Sequence, residues 1–127
     1  MKAESEGLLE KAARAIRAAE ILLQSGDPEN SVGRAYYGLF HTAQALLRAR
    51  DLKYRKHSSV HAAYGEYFAK TAILDPKYHR WLLAAFNKRL EGDYMSDAHI
   101  EVDAAASTID QAKEFLRTAR QWFEAQG

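Results

Sequence analysis

The chain has 127 residues, a formal net charge of +1 and no cysteine. This length is typical of one domain with its own core, so we expect a single domain over residues 1–127. The missing cysteines exclude disulfides, thiolate metal sites and cysteine nucleophiles, and the near-neutral charge excludes a global attraction to nucleic acid or membrane. No apolar run is long enough to span a bilayer and charges interrupt residues 1–10, so we expect a cytoplasmic protein without a membrane partner.

Apolar residues recur at intervals of three and four along most of the chain, which is typical of amphipathic helices. The first predicted helix covers residues 3–25 and ends at Gly26. The second follows the N-cap candidate Asp27, begins at Pro28 and reaches about Arg50. Its buried stripe is predicted to contain Val32, Tyr36, Leu39, Ala43 and Leu46.

Three further helices are predicted in the second half of the chain. Ser58 or Ser59 would cap a third helix that runs to about residue 70. It would bury Val60, Tyr64, Tyr67 and Phe68. A fourth helix would follow Asp75 and Pro76 and end near Glu91. It would bury Tyr78, Leu82, Ala85 and Phe86.

The last predicted helix has the most regular apolar stripe in the chain. Ser96 or Asp97 would cap it. Its inward residues would be Val102, Ala105, Ile109, Ala112, Leu116, Ala119 and Phe123. Because no segment alternates like a strand and the connections are short, the sequence predicts an all-α, up-and-down antiparallel bundle of four to five helices.

A second stripe on the predicted second helix lies on a different face from the apolar one. It consists of Arg34, Tyr37, His41 and Gln44. A solvated helix face more often carries Lys and Glu, so this composition indicates contact with another helix, a second subunit or a ligand. The alternative is a buried hydrogen-bond network that joins two helices.

Arg89 continues the inward line of the predicted fourth helix, where an unpaired arginine is unusual. Asp93 follows four residues later, so one interpretation is an intrahelical ion pair. The other is a guanidinium positioned to bind phosphate.

Two other groups of residues are candidate sites. His57 and His61 have a spacing that can place two imidazoles on one metal, but a third ligand is not evident, so surface or capping histidines are favoured and no metal or cofactor is predicted. A basic segment follows the second helix and contains Arg48, Arg50, Lys53, Arg55 and Lys56. A solvated connection is favoured there over a binding surface.

Three motifs follow one another in a specific order. They are SVGRAYYGLFH from Ser31 to His41, HSSV from His57 with YFAKT and LDP after it, and Arg89 with Asp93 and Tyr94. This set resembles the HEPN domains, small prokaryotic helical bundles, over about residues 5–120. The resemblance implies four or five helices, a homodimer, and pairing with a small nucleotidyltransferase as toxin and antitoxin.

Many proteins of that family resemble metal-independent ribonucleases, and this implies a particular site. In it, an arginine is followed after four to six residues by a histidine, and two protomers present their copies across the dimer cleft. Arg89 matches the arginine. The histidine positions hold Tyr94, Met95 and Ser96, and the next histidine is His99.

RNA cleavage through its own 2′-hydroxyl needs a base near neutral pKa and a cation for the developing charge. Arg89 could supply the cation, whereas Asp93 is intrinsically a weak base and the proximity of Arg89 should lower its pKa further. His99 could approach from the same protomer or from the other one. The candidate catalytic residues are therefore Arg89, Asp93, Tyr94 and His99.

Two functions are compatible with these residues. The first is a toxin-like protein that binds RNA or nucleotide in a dimer cleft through Arg34, Tyr37, His41 and Arg89, and whose enzyme form cuts single-stranded RNA. The second is a non-catalytic module that binds nucleotide or docks to a nucleotidyltransferase. A purely structural bundle is the third possibility, and in that case changing Arg89 would affect no function.

Overall fold

A computed structural model describes residues 1–95 and 99–127 and confirms the all-α antiparallel bundle. Its helices are α1 (Ala3–Gln24), α2 (Pro28–Ala49), α3 (His57–Tyr64), α4 (Lys77–Tyr94) and α5 (Val102–Gln126), and a π-helical turn (Gly65–Ala69) continues α3. The described ranges contain no strand and no helix long and apolar enough to cross a membrane.

The start of α2 follows the predicted chemistry. Gly26 has a φ of +86°, a left-handed conformation that glycine adopts without steric cost. The Asp27 side chain accepts a hydrogen bond from the backbone N–H of Asn30 at 3.2 Å, and Pro28 occupies the first turn. The short α1–α2 connection that results makes the two helices antiparallel neighbours.

Helix α2 lies at the centre of the bundle and packs against α1, α3, α4 and α5. Its predicted stripe is fully buried, from Val32 to Leu46. A Cβ atom on Gly38 would lie 2.7 Å from Cγ1 of Ile16 in α1 and 3.3 Å from Cβ of Ala112 in α5. Glycine therefore allows three helices to meet at one point.

The third helix differs from the prediction. It begins at His57 with Lys56 at the N-cap position and no side-chain cap, so neither Ser58 nor Ser59 caps it. Tyr67 is 42% exposed, not buried, while Phe68 is fully buried. The π-helical turn explains the error, because it adds a residue to the turn and shifts the inward face away from the 3.6-residue period.

The fourth helix continues three residues beyond the predicted end at Glu91, through Gly92 to Tyr94. A Cβ atom on Gly92 would lie 3.8 Å from Cβ of Glu29, so this end of α4 passes close to the start of α2. The predicted caps of the last helix, Ser96 and Asp97, lie outside the described residues. As described, α5 begins at Val102, which is 56% exposed because it stands at the helix end.

We predict that Leu116→Ala lowers the free energy of unfolding by about 2 to 5 kcal/mol, because Leu116 is buried in the core among neighbours that cannot fully close the cavity. The matched control is Leu83→Ala in α4, where the leucine is 38% exposed and the loss should be well below 1 kcal/mol. Urea unfolding of the three proteins measures both. Equal midpoints for wild type and Leu116→Ala would contradict the packing of α5.

Candidate functional site

The side chain of Arg89 leaves α4 and lies over two aromatic rings of α2. Its guanidinium carbon is 5.1 Å from the Tyr37 ring centroid and 5.8 Å from that of Tyr36. Gly33 lies beneath the aliphatic part of the side chain, since a Cβ atom at that position would be 4.0 Å from Cγ of Arg89. The first turns of α2 therefore hold this arginine in a fixed place.

The predicted ion pair is present, but it engages only part of the guanidinium. Nε of Arg89 lies 3.4 Å from Oδ2 of Asp93, whose side chain is 46% exposed. An exposed pair of this kind contributes at most about 1 kcal/mol. Within the described ranges the guanidinium makes no other ion pair and no hydrogen bond, so most of its donors remain available to a ligand.

The polar stripe of α2 continues from Arg89 along the helix. The Arg34 guanidinium lies 5.0 Å from the Tyr37 centroid, and the Tyr37 and His41 rings stack with centroids 5.6 Å apart. Nδ1 of His41 lies 2.9 Å from Oε1 of Gln44. Burial lowers the pKa of His41, and this imidazole is therefore neutral at pH 7.

We call the group formed by Arg34, Tyr37, His41 and Arg89 the arginine–tyrosine strip. The structure brings these four residues together, with Asp93 beside Arg89. It does not bring Tyr94 or His99 to them. Tyr94 is 80% exposed, because five residues after Arg89 a helix has turned about 140° away from it. His99 is exposed and lies 3.3 Å from Glu101.

A hydrogen-bond network behind the strip was not predicted. The buried hydroxyl of Tyr36 lies 2.6 Å from Nδ1 of His57 and 2.8 Å from Nε2 of His61. A hydroxyl has one hydrogen, so it donates to one imidazole and accepts from the other. His61 is buried, so its assignment to the surface was wrong. The spacing of His57 and His61 was the signal in the sequence that the two imidazoles share a partner. In the structure that partner is the hydroxyl of Tyr36.

Both imidazoles of this network are held in the neutral form. Burial, and then the charge of Arg89, lower the pKa of His57. Burial, and then the neighbouring histidines, lower the pKa of His61 to about 4. His57 also stacks on Phe40 with centroids 4.5 Å apart. In the part of the chain that the structure describes, no three metal-ligating side chains converge.

The basic segment after α2 is partly engaged within the chain. Arg48 forms an ion pair with Glu4 of α1, and the Arg50 guanidinium lies 5.6 Å from the Phe68 ring centroid. At the end of the same helix Asp51 pairs with Lys2. These contacts favour the interpretation that the segment is a structural connection.

Comparison with known proteins identifies the class to which this bundle and strip belong. The model of the HEPN domain matches residues 5–124. A protein of Methanocaldococcus jannaschii named "Putative toxin MJ0605" is 34% identical over 91% of this chain and 86% of its own length. "UPF0332 protein glr0978" of Gloeobacter violaceus is 31% identical over 96% of this chain and 98% of its own. The chain belongs to the HEPN domain family, as the resemblance predicted, and it is toxin-like in sequence.

Acid should destabilise the fold through His61. The folded protein keeps this imidazole neutral, with a pKa of about 4 against about 6.5 in the unfolded chain, so its contribution is complete above pH 6.5 and is lost as the pH falls toward 4. Between pH 7 and pH 5 we expect urea unfolding to show a loss on the order of 2 kcal/mol. His61→Gln should reduce this dependence to the part that His41 and His57 contribute, and His99→Gln should leave it unchanged. If the free energy of unfolding fell equally with pH in His61→Gln and wild type, the low pKa of His61 would be contradicted.

Proposed function

We propose that this HEPN-family protein binds RNA or nucleotide at the arginine–tyrosine strip. The observation that carries the proposal is the placement of two guanidiniums, from Arg34 and Arg89, at 5.0 and 5.1 Å from the ring centroid of Tyr37. A nucleotide offers a base that can stack on an aromatic ring and a phosphate that can take a guanidinium fork. The strip presents both kinds of group side by side.

The charges of the strip support an anionic ligand. In the ranges that the structure describes, Arg34 forms no ion pair, and Arg89 has only the long contact to Asp93. His41 is neutral, so its ring can stack with Tyr37 on a base without adding a charge that needs a counterion. Stacking of this kind tolerates any base, so we propose binding without strong sequence preference.

We further propose that the protein acts as a homodimer and as the toxin of a toxin–antitoxin pair. The names of two relatives in Methanocaldococcus jannaschii support the toxin role. The proposal that the antitoxin is a nucleotidyltransferase rests on the family resemblance alone. The strip lies on the outside of the bundle, where a two-fold axis could bring two copies together. Sedimentation at micromolar concentration should give twice the 14.3 kDa protomer mass, and a monomer would remove the dimer cleft from the proposal.

Metal-independent RNA cleavage is a second candidate function, and the position of His57 favours it. His57 and Arg89 both contact the rings of Tyr36 and Tyr37. In the tautomer that this role requires, Nδ1–H of His57 donates to the Tyr36 oxygen, and Nε2 is then the nitrogen that accepts a proton. Among protein groups near Arg89, this neutral imidazole takes the place of the histidine that the family pattern lacks at Tyr94, Met95 and Ser96.

In this second candidate function, each group has one chemical role. Nε2 of His57 would take the proton from the ribose 2′-hydroxyl, whose oxygen attacks the adjacent phosphorus. The bond from phosphorus to the 5′-oxygen then breaks, and water protonates the leaving oxygen. Arg89 would stabilise the charge on the phosphoryl oxygens. A non-catalytic module that presents nucleotide to a transferase would use the same strip without His57.

Arg89→Ala should weaken the binding of a short single-stranded RNA by about tenfold or more, because a charge-assisted hydrogen bond contributes about 1.5 to 3 kcal/mol. Arg89→Lys should recover only part of the affinity, since it restores the charge but not the fork. Isothermal titration calorimetry measures all three proteins.

The control for Arg89 is Lys88→Ala, which removes the same charge from the adjacent position on another face of α4. It should change the affinity by less than about twofold. Equal binding by wild type and Arg89→Ala would exclude the strip and direct attention to the basic segment from Arg48 to Lys56.

His57→Gln should abolish RNA cleavage while leaving RNA affinity nearly unchanged, because glutamine can bond to Tyr36 but cannot accept a proton. The rate should also be constant above pH 6.5 and fall at lower pH, since the pKa of His57 lies below its ordinary value and only the neutral form is active. Gel analysis of a labelled RNA across pH 5 to 8 measures this. Wild-type binding without cleavage would leave the non-catalytic module as the function.

A further inference from the structure

A groove of about 400 Å³ between α1 and α2 adjoins the arginine–tyrosine strip. Arg34, Tyr37 and His41 line one side of it. Lys11 and Arg14 of α1 line the other, and alanines complete the lining. Positions 11 and 14 are three residues apart, so their side chains lie on one face of α1 and point into the same groove. The sequence patterns that predicted the strip did not include these two cations.

The groove is lined by positive charges that no lining carboxylate neutralises. Its lining has three cations and no carboxylate, and within residues 1–95 and 99–127 none of Lys11, Arg14 and Arg34 forms an ion pair. Burial lowers the pKa of His41, and the charges of Lys11 and Arg34 on the two sides of the groove lower it further. Like charges brought together in this way repel each other unless an anion lies between them.

The neighbouring groove between α1 and α5 serves for comparison, because both cations and carboxylates line it. It is lined by four cations and two carboxylates, namely Arg17, Lys113, Arg117, Arg120, Glu20 and Glu124. Lys113 and Glu20 form an ion pair there at 2.7 Å. The α1–α5 groove is therefore partly neutralised by carboxylates, whereas the lining of the α1–α2 groove contains cations and no carboxylate.

The groove and Arg89 lie on two sides of the same tyrosine. Tyr37 lines the groove, and the Arg89 guanidinium, which does not line it, lies 5.1 Å from the Tyr37 ring centroid. The positive surface therefore runs from α4 across α2 to α1. A single nucleotide bound at Arg89 and Tyr37 would leave the cations of α1 without a phosphate, whereas a strand can continue into the groove.

We propose that the groove is an additional phosphate-binding site, in which Lys11 and Arg14 bind the backbone of nucleotides adjacent to the one at Arg89 and Tyr37. The ligand is therefore a single-stranded RNA of several nucleotides and not a free nucleotide. This inference rests on the proposed function, because it extends the ligand of the same strip.

The test compares ligands of different length on matched variants. Wild type, the double variant Lys11→Ala/Arg14→Ala and the control Arg17→Ala/Arg120→Ala are titrated with adenosine monophosphate and with a 12-nucleotide single-stranded RNA at several salt concentrations. The control removes the same charge from the α1–α5 groove, which carboxylates partly neutralise. All four side chains are exposed, so thermal melting should show equally folded proteins.

We expect wild type to bind the 12-nucleotide RNA much more tightly than the mononucleotide. The double variant should lose about tenfold or more in affinity for the RNA, and the slope of log K against log salt should fall by about 1.4, the value for two phosphates of a single strand. Its affinity for the mononucleotide should not change, and the control should stay within twofold of wild type.

Two results would overturn the inference while leaving the strip in place. One is equal RNA affinity for wild type and the double variant, and the other is an equal loss in the control, which would mean a diffuse effect of net charge. By contrast, absence of binding to either ligand, or binding that Arg89→Ala does not weaken, would overturn the proposed function itself and this inference with it.

Discussion

The packing of α2 against every other helix is the constraint on which the rest of the structure depends. At Gly38 the absence of a side chain lets α1 and α5 approach α2, with Ile16 and Ala112 filling the space that a Cβ atom would need. A helix held on all sides in this way has a fixed rotation about its axis. Because successive residues are about 100° apart, that rotation buries Tyr36 and places Tyr37 at the edge of the bundle.

The two adjacent tyrosines connect the core to the candidate site. Tyr36 joins α2 to α3 through its hydrogen bonds with His57 and His61, and its ring also contacts Arg89. Since both imidazoles stay neutral at pH 7, they add no positive charge beneath the guanidinium. Arg89 therefore lies over a layer of packed rings that carries no charge of its own.

The helices could be predicted from the sequence wherever the 3.6-residue period is unbroken. The buried stripe of α2 and the Asp27–Pro28 start are confirmed because short-range rules determine them. Tyr67 is exposed, against the prediction, because a π-helical turn interrupts the period, and α4 extends beyond its predicted end because Gly92 is helical. Both places lie against another helix, with Gly65 beside His79 of α4 and Gly92 beside Glu29 of α2.

For the site, too, residue spacing along one helix could be predicted, whereas arrangements that depend on helix packing could not. Arg34, Tyr37 and His41 were predicted to lie together because three- and four-residue spacing on one helix is sufficient to show it. The bonds from Tyr36 to His57 and His61 span more than twenty residues, and the pairing of Lys11 and Arg14 with α2 depends on how two helices pack. The spacing of His57 and His61 indicates that the two imidazoles share one face, but a single sequence contains no signal for the tyrosine between them or for the pairing of α1 with α2. The difference in charge between the α1–α2 and α1–α5 grooves likewise depends on how the helices pack.

The central claim is that single-stranded RNA contacts the arginine–tyrosine strip, and photo-crosslinking tests it most directly. An RNA that carries 5-iodouridine is irradiated with the protein, which is then digested with trypsin and mapped by mass spectrometry. The account predicts an adduct on the peptide of residues 35–48, located at the half-buried Tyr37 and absent in a folded Tyr37→Leu variant, which lacks the aromatic ring. Adducts confined to the basic segment from Arg48 to Lys56, or to the exposed face of α5, would contradict it.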